Sequence, residues 1–586
     1  MSDLSLDKMR HSCAHLMAYA VSELYPGTKV AIGPTIENGF YYDFDLPGPI
    51  GETDLAKIER KMSELKEKSF DYIQSWIEVD RALELFSHQP YKQEIIKEIS
   101  EGGRDDFGQK GKVSIYQSGK FTDLCKGPHL SSSKEIGYFK LLNIAGAYWR
   151  GDEKNKMLTR IYGTCFEKKE ELDHFLWQQE EAKKRDHRKL GRELDLFVIN
   201  DSIGKGLPLL TPKGTLLKKQ ILDYEYRLEV EAGFKQVSTP HISRSELYKK
   251  TGHWQHYRET MYAPFGIDGD EYVLKPMNCP HHYMIYSSKP RSYRELPLRL
   301  SEPGTCYRYE KTGELAGLLR VRSLTIDDSH ILMTENQIED EFALCIDMVK
   351  KMFDAFKLKS FYVRLSLSDP SDAIKYIADE GTWKRAGDLL EKIVKNNRLD
   401  YKVAKGEASF YGPKLDFMVR DSLGREWQMS TLQLDLFMGK RLGLTYTDES
   451  GQEKHPVILH RGLTGSIERT LGIIIEHFAG AFPVWLSPIQ VEILPISEKY
   501  APLAKKMLAE MAKKQIRAEI NDENKTLGAK IRQSTLQKTP YMIIIGEKES
   551  KKNGFVSVRT REGGDLGLVK IDEFIKRLTD QIEKLE

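Results

Sequence analysis

The chain has 586 residues, 40% of them hydrophobic, which is too long for one core and enough apolar material for roughly three or four domains. Its 89 basic and 87 acidic side chains leave a net charge of +2, which excludes a global field for polyanions, so any RNA contact must come from local basic surfaces. No apolar signal region opens the chain, residues 471–486 are interrupted by Glu476, His477, Gly480 and Pro483, and the cysteines number only six; the expectation is a cytoplasmic protein with reduced thiols and no membrane segment.

In chain order, residues 1–165 mix helical and strand-like segments. Met9, Cys13, Leu16, Met17, Ala20, Val21 and Leu24 recur at helical spacing, so His11 and His15, four apart, share a face turned away from the apolar stripe. That placement argues against core histidines. Such a pair suits metal binding or joint handling of a polar substrate, and Asp123-Leu124-Cys125-Lys126-Gly127-Pro128-His129 offers matching groups. Two solvated histidines beside an unrelated loop cysteine carry about equal weight at this stage.

Residues 166–195 are dense in Lys, Arg and Glu, with Leu172, Phe175 and Leu176 at helical spacing and no proline; the spacing predicts one long charged linker helix. Residues 196–486 hold many strand-like runs, for example 271–274 and 361–367. From Ser487-Pro488 onward, short apolar strands at 491–496, 517–520, 541–545 and 556–558 alternate with helices near 498–514 and from Asp572. That alternation predicts a small α/β domain over 487–586.

The central region carries the unusual chemistry. Cys279 in Lys275-Pro276-Met277-Asn278-Cys279-Pro280, His330 in Thr325-Ile326-Asp327-Asp328-Ser329-His330 and His460 in Val457-Ile458-Leu459-His460-Arg461 each read as strand ends projecting into a cleft. One Cys and two His leave a fourth tetrahedral position free, as a substrate-binding zinc requires, although residues so scattered are more often unrelated. Cys306-Tyr307-Arg308-Tyr309-Glu310 puts Arg308 and Glu310 on one face of an extended strand, where a guanidinium holds a phosphate and a carboxylate accepts from an amino group. An ordinary ion pair is the plainer reading of that tripeptide alone.

Taken together, these segments resemble a known family. Pro240 in Val237-Ser238-Thr239-Pro240, the Arg308-x-Glu310 strand and Gly465-x-x-x-Arg469 resemble, in order, the three signature motifs of class II aminoacyl-tRNA synthetases. Lys249-Lys250-Thr251-Gly252-His253-Trp254, Lys275 to Cys279 and Phe410-Tyr411-Gly412-Pro413-Lys414 resemble the threonyl-tRNA synthetases in particular, and the likeness runs along nearly the whole chain. It implies an α+β multidomain architecture: an N-terminal α+β editing domain over residues 1–165, the linker helix, a class II antiparallel sheet with helices over 196–486, and a C-terminal α/β anticodon-binding domain over 487–586.

The resemblance further implies a threonine–tRNA ligase and homodimer that uses ATP with Mg²⁺, threonine, tRNA(Thr) and one Zn²⁺ per subunit. Arg308, Glu310, Arg469, Arg320 and Lys414 would serve catalysis, and Cys279, His330 and His460 would hold the zinc. Asp328, Tyr411, Gln428, Gln433 and Ser466 would bind substrate. His11, His15, Asp123, Cys125 and His129 would form a hydrolytic site for mischarged seryl-tRNA(Thr), metal-free in this family though zinc-binding in its alanyl relatives. Glu549 and Arg559, with Arg561, would meet anticodon bases. The family's ubiquitin-like domain is expected to be absent, since the sequence starts directly at the His11 helix.

Three departures stand out. Where the family commonly has Arg-Gly-Phe-Thr-Gln-Asp-Asp, this chain reads Arg322-Ser323-Leu324-Thr325-Ile326-Asp327-Asp328, so an expected adenine-stacking aromatic is Leu324 and a polar residue near threonine is Ile326. His281 replaces a usual glycine, a competing ligand beside Cys279. The competing functions are a non-catalytic synthetase paralogue that binds tRNA, favoured only by Leu324 and Ile326, and a metal-dependent hydrolase, which leaves the arginines unexplained.

Overall fold

In the computed structural model, which describes every residue except 1–2, 103–107, 110, 373, 378 and 553, the chain divides into two units, Met1–Glu180 and Glu181–Glu586. The first is built on helix Asp3–Leu24, whose Cys13, Leu16, Met17, Ala20 and Val21 share a core with Phe40, Phe44, Ile161 and helix Glu52–Glu67. Strands Gly39–Asp45, Met157–Phe166 and Tyr138–Tyr148 form the body of one antiparallel sheet. Strands Tyr72–Glu78, Lys112–Ser118 and Phe121–Leu124 belong to a second, which delivers the Asp123–His129 segment back to the helix.

Residues 12–21 of that helix are all buried. His15 is only 2% exposed, which corrects the expectation of a histidine face held clear of the core. The returning segment and Tyr42 cover it.

The predicted linker helix is broken. Helix Lys169–Arg185 ends, and His187–Glu193 begins anew with Asp186 as its N-cap, accepting from Arg188 N. Asp186 at ψ 118° is outside helical geometry; its carboxylate satisfies an N–H that a continuous helix would have bonded internally.

An eight-stranded sheet dominates the second unit, in the order Lys235–Gln236, Leu298–Tyr307, Ser323–Met333, Val457–Gly462, Glu426–Asp435, Lys414–Arg420, Phe361–Leu367, Tyr401–Lys405. Its central pairs are antiparallel and its two outermost pairs parallel. Helix Ile338–Ala355 covers one face with Phe342, Ile346, Val349 and Phe353 in a core shared with Ile331, Leu432 and Leu459, leaving polar side chains of the same strands for the other face.

Residues from 490 on form a separate sheet. Ala518–Ile520, Val491–Pro495 and Tyr541–Ile545 are parallel, and Phe555–Thr560 and Asp565–Lys570 continue antiparallel. Among the described residues, no helix is long and apolar enough to cross a membrane.

Candidate functional site

His330 and His460 stand directly opposite each other on adjacent central strands, inside the strands and not at their ends. Cys279 opens helix Cys279–Ser287, again not a strand end. One donor atom from each of the three lies within 4.8 Å of the other two, and all three residues are buried. His330 Nε2 is buried with no protein partner, whereas His460 Nε2 lies 3.3 Å from both Asp435 Oδ2 and Tyr283 OH. A thiol and two imidazoles converging around an unmatched buried nitrogen match a tetrahedral zinc with one position open, so the residues fit the ion. Burial, then Asp328 and Cys306, push the Cys279 thiol well above its usual range, so binding an ion there displaces a proton. His281 lies outside this cluster.

Asp328 borders the cluster, with His330 Nδ1 3.8 Å from its Oδ1 and Asn278 Nδ2 donating to Oδ2 at 3.1 Å. Asn278 fits because Gly304 faces it without a side chain; a Cβ there would come within 2.5 Å of the amide. Tyr411 stacks on His460 at 4.7 Å between centroids and donates its hydroxyl to Gln433 Oε1 at 2.6 Å. Asp416 gathers the next set: it lies 2.9 Å from Lys414 Nζ, 3.0 Å from an Arg364 nitrogen and accepts from Gln428 Nε2 at 2.9 Å.

Strand Leu298–Tyr307 stops one residue before Arg308, so Arg308 and Glu310 occupy the loop beyond it and not alternate strand positions as expected. Glu310 remains buried and accepts from Arg320 Nε at 2.7 Å, so the plain ion-pair reading of this carboxylate holds in part. Arg469 lies in the first turn of helix Ile467–His477, which Ser466 caps by accepting from Arg469 N at 3.4 Å. Enclosure and the charges of Arg308 and Arg320 draw the Arg469 pKa down, while Glu310 opposes them. Three guanidiniums around one carboxylate leave surplus positive potential suited to a polyphosphate. Leu324 and Ile326 sit in an aliphatic cluster with Cys306 and Val321.

The first unit holds a separate cleft of about 510 Å³ lined by His11, His15, Lys92, Asp123, Cys125 and Pro128 among others. Asp123 accepts from Tyr42 OH at 2.5 Å and lies 2.5 Å from Lys92 Nζ and 3.5 Å from His15 Nε2. Cys125 Sγ is 3.3 Å from His11 Nε2 and 3.3 Å from His129 Nε2. His11 Nδ1 donates to Pro128 O at 3.3 Å, which leaves its Nε2 as a lone pair. Burial lowers the pKa of His11, His15 and His129 and, with Asp123, pushes Cys125 up to about 12. Neutral imidazoles around a protonated thiol can orient a water, and the four donors His11, His15, Cys125 and His129 also lie within 4.8 Å of one another.

In the C-terminal sheet domain, Glu549 is buried, accepting from Gly546 N at 2.8 Å and Ser557 Oγ at 2.5 Å. Arg561 donates to Phe482 O at 2.6 Å, and Arg559 is half-buried on strand Phe555–Thr560. Sequence reading missed Asp416, Arg364, Asp435, His282 and Glu302. Asp416 left one trace, a charge two residues from Lys414 at the head of the apolar run Phe417-Met418-Val419.

Comparison with known proteins places three family models on the chain. Residues 264–478 match the tRNA synthetase class II core domain (G, H, P, S and T), 490–581 an anticodon binding domain, and 113–162 the threonyl and alanyl tRNA synthetase second additional domain. The threonine–tRNA ligase of Rubrobacter xylanophilus is 45% identical over 576 residues, covering 98% of this chain and 88% of its own. That of Thermotoga maritima is 46% identical over 583 residues, with 98% and 88% covered. Among solved structures, the RNA binding domain of threonyl-tRNA synthetase from Cryptosporidium parvum superposes with a TM-score of 0.64 at 34% identity, over 68% of this chain and 98% of that one. A putative threonyl-tRNA synthetase from Aeropyrum pernix gives 0.60 at 29% identity, over 69% and 96%.

Proposed function

The chain belongs to the threonyl-tRNA synthetase family, and from that premise we propose which of its residues carry threonine activation, transfer and proofreading. It is a threonine–tRNA ligase of class II: ATP and threonine give threonyl-adenylate and pyrophosphate, and threonine then passes to the 3′-terminal ribose of tRNA(Thr).

The observation that carries the residue assignment is the convergence of Cys279, His330 and His460 in the same sheet domain as the Arg308, Arg320 and Arg469 guanidiniums. Cys279, His330 and His460 would hold zinc, which would supply a Lewis-acid position for the polar groups of threonine. Asp328 accepts from the threonine hydroxyl, and Tyr411 and Gln433 wall the site beside His460. Arg308 holds the α-phosphate that the threonine carboxylate attacks, Glu310 meets the adenine, and Arg469 neutralises the terminal phosphates alongside Mg²⁺. Positioning and charge neutralisation suffice for this displacement, which is why no nucleophilic side chain is required. Lys414 and Gln428, oriented by Asp416, face the substrate, and Ser466 sets the turn that presents Arg469.

Valine lacks the hydroxyl and leaves Asp328 unmatched, a discrimination of roughly 10⁴-fold or more. Serine lacks only a methyl, worth about 1–3 kcal/mol. The N-terminal cleft therefore removes serine: His11, His129 and Cys125 orient a water toward the ester of seryl-tRNA(Thr), while Asp123, fixed by Lys92 and Tyr42, anchors the substrate's polar groups. Arg559 and Glu549 serve anticodon reading, where unpaired bases expose their edges. The molecule works as a homodimer paired near Pro240. Metal analysis of a Cys279→Ser variant tests the central assignment: bound zinc and threonine activation should be lost together, and zinc retained at wild-type level refutes the ligand set.

A further inference from the structure

A buried imidazole ligates a metal only if its proton is parked on the other ring nitrogen, and a partner behind the ring decides this. Behind His330, the Nδ1 atom lies 2.8 Å from His282 Nδ1, and His282 Nε2 lies 3.3 Å from Glu302 Oε1. His282 is 0% exposed and Glu302 5%, so water does not compete for these bonds. Glu302 is itself clamped: Oε2 accepts from Thr239 N at 3.0 Å, Oε1 from Thr239 Oγ1 at 2.6 Å, and Lys275 Nζ lies 3.5 Å away.

Each proton then has one place to go. The Glu302 carboxylate, ringed by donors and by the Lys275 ammonium, only accepts, so the His282 proton sits on Nε2. Its Nδ1 is therefore a lone pair, and across 2.8 Å it takes the proton of His330 Nδ1. That strips His330 Nε2, the buried atom without a protein partner, and turns it to the Cys279 and His460 donors. We propose that Glu302 and His282 are positioning residues for the metal, a two-step relay from the Thr239 segment that sets the tautomer and ring orientation of His330. This rests on reading the cluster as a zinc site.

The relay makes an isosteric change two residues removed from the metal decisive. In Glu302→Gln, the Thr239 backbone N–H keeps the amide oxygen at the Oε2 position, so the NH₂ faces His282 Nε2 and reverses its tautomer. His282 Nδ1–H then donates to His330 Nδ1 and forces the His330 proton onto Nε2, against the metal.

The test is equilibrium zinc affinity of the purified full-length chain, by competition with a chromogenic chelator, together with the melting temperature of the zinc-free protein. Glu302→Gln and His282→Leu should each weaken zinc about 10–100-fold, the range for lost partners of metal-bound histidines. His282→Asn, whose amide oxygen offers an acceptor near Nδ1, should recover most of that loss. Unchanged zinc affinity in Glu302→Gln and His282→Leu, with only the zinc-free melting temperature lowered, assigns both residues a merely structural role and overturns the relay. A wild-type protein that binds no zinc overturns the metal reading itself, and the relay with it.

Discussion

Asp328 and Asp123 are both enclosed carboxylates, and their neighbours set them different tasks. Asp328 borders the proposed zinc-ligand histidines and takes a single amide partner, Asn278, so in the proposed site its second oxygen would meet the substrate hydroxyl. Asp123 is held by Tyr42 and Lys92, which suits the anchoring role proposed for it. In the proposed proofreading reaction the reactive edge of the N-terminal cleft is instead Cys125, which spans His11 and His129. Replacing Cys125 with Ala frees both rings, and seryl-tRNA(Thr) should accumulate while threonine activation stays intact. Deacylation of purified seryl-tRNA(Thr) measures this; a wild-type rate in the variant contradicts the assignment. These clusters were legible because HxxxH and CxxxH spacings are local signals. The link from Glu302 through His282 to the predicted His330 was not, since it joins positions 20 and 48 residues apart and exists only once strands and helix have packed.

Among the elements, short apolar strands bounded by polar turns were readable from the sequence: 361–367 and 541–545 coincide with Phe361–Leu367 and Tyr541–Ile545. The linker was not, because Asp is tolerated inside a helix and only its cap geometry shows the break. That cap makes a prediction. Hydrogen bonds from Arg188 hold the Asp186 carboxyl down to about 2, below its unfolded value near 3.9. Its contribution is therefore present above about pH 4 and is lost as pH falls through 2. Asp186→Ala should destabilise the Glu181–Glu586 unit by about 1 kcal/mol at neutral pH, read by urea denaturation, and the difference from wild type should shrink in acid. An equal difference at pH 7 and pH 2 contradicts the cap. The Cys279 segment was misread for a related reason: Pro280 suits a helix's first turn as well as a loop, and the sequence does not distinguish them.

For the whole molecule, the open edge of the large sheet matters most. Strand Lys235–Gln236 pairs with a neighbour on one side only among the described residues, and Tyr226 and Val230 are each 52% exposed on the preceding helix Pro212–Glu231. In the proposed homodimer a second copy would cover this surface. Val230→Glu should shift sedimentation toward monomer, and a wild-type protein that sediments as monomer contradicts the pairing. The departures at Leu324, buried in an aliphatic cluster, and Ile326, half-buried against it, leave every guanidinium and proposed ligand in place, which favours an active ligase over a tRNA-binding paralogue. The most direct measurement is amino-acid-dependent exchange of labelled pyrophosphate into ATP by the zinc-loaded protein. Exchange should be strong with threonine, detectable with serine and about 10⁴-fold weaker with valine; no threonine-dependent exchange, or equal exchange with valine, would contradict the account.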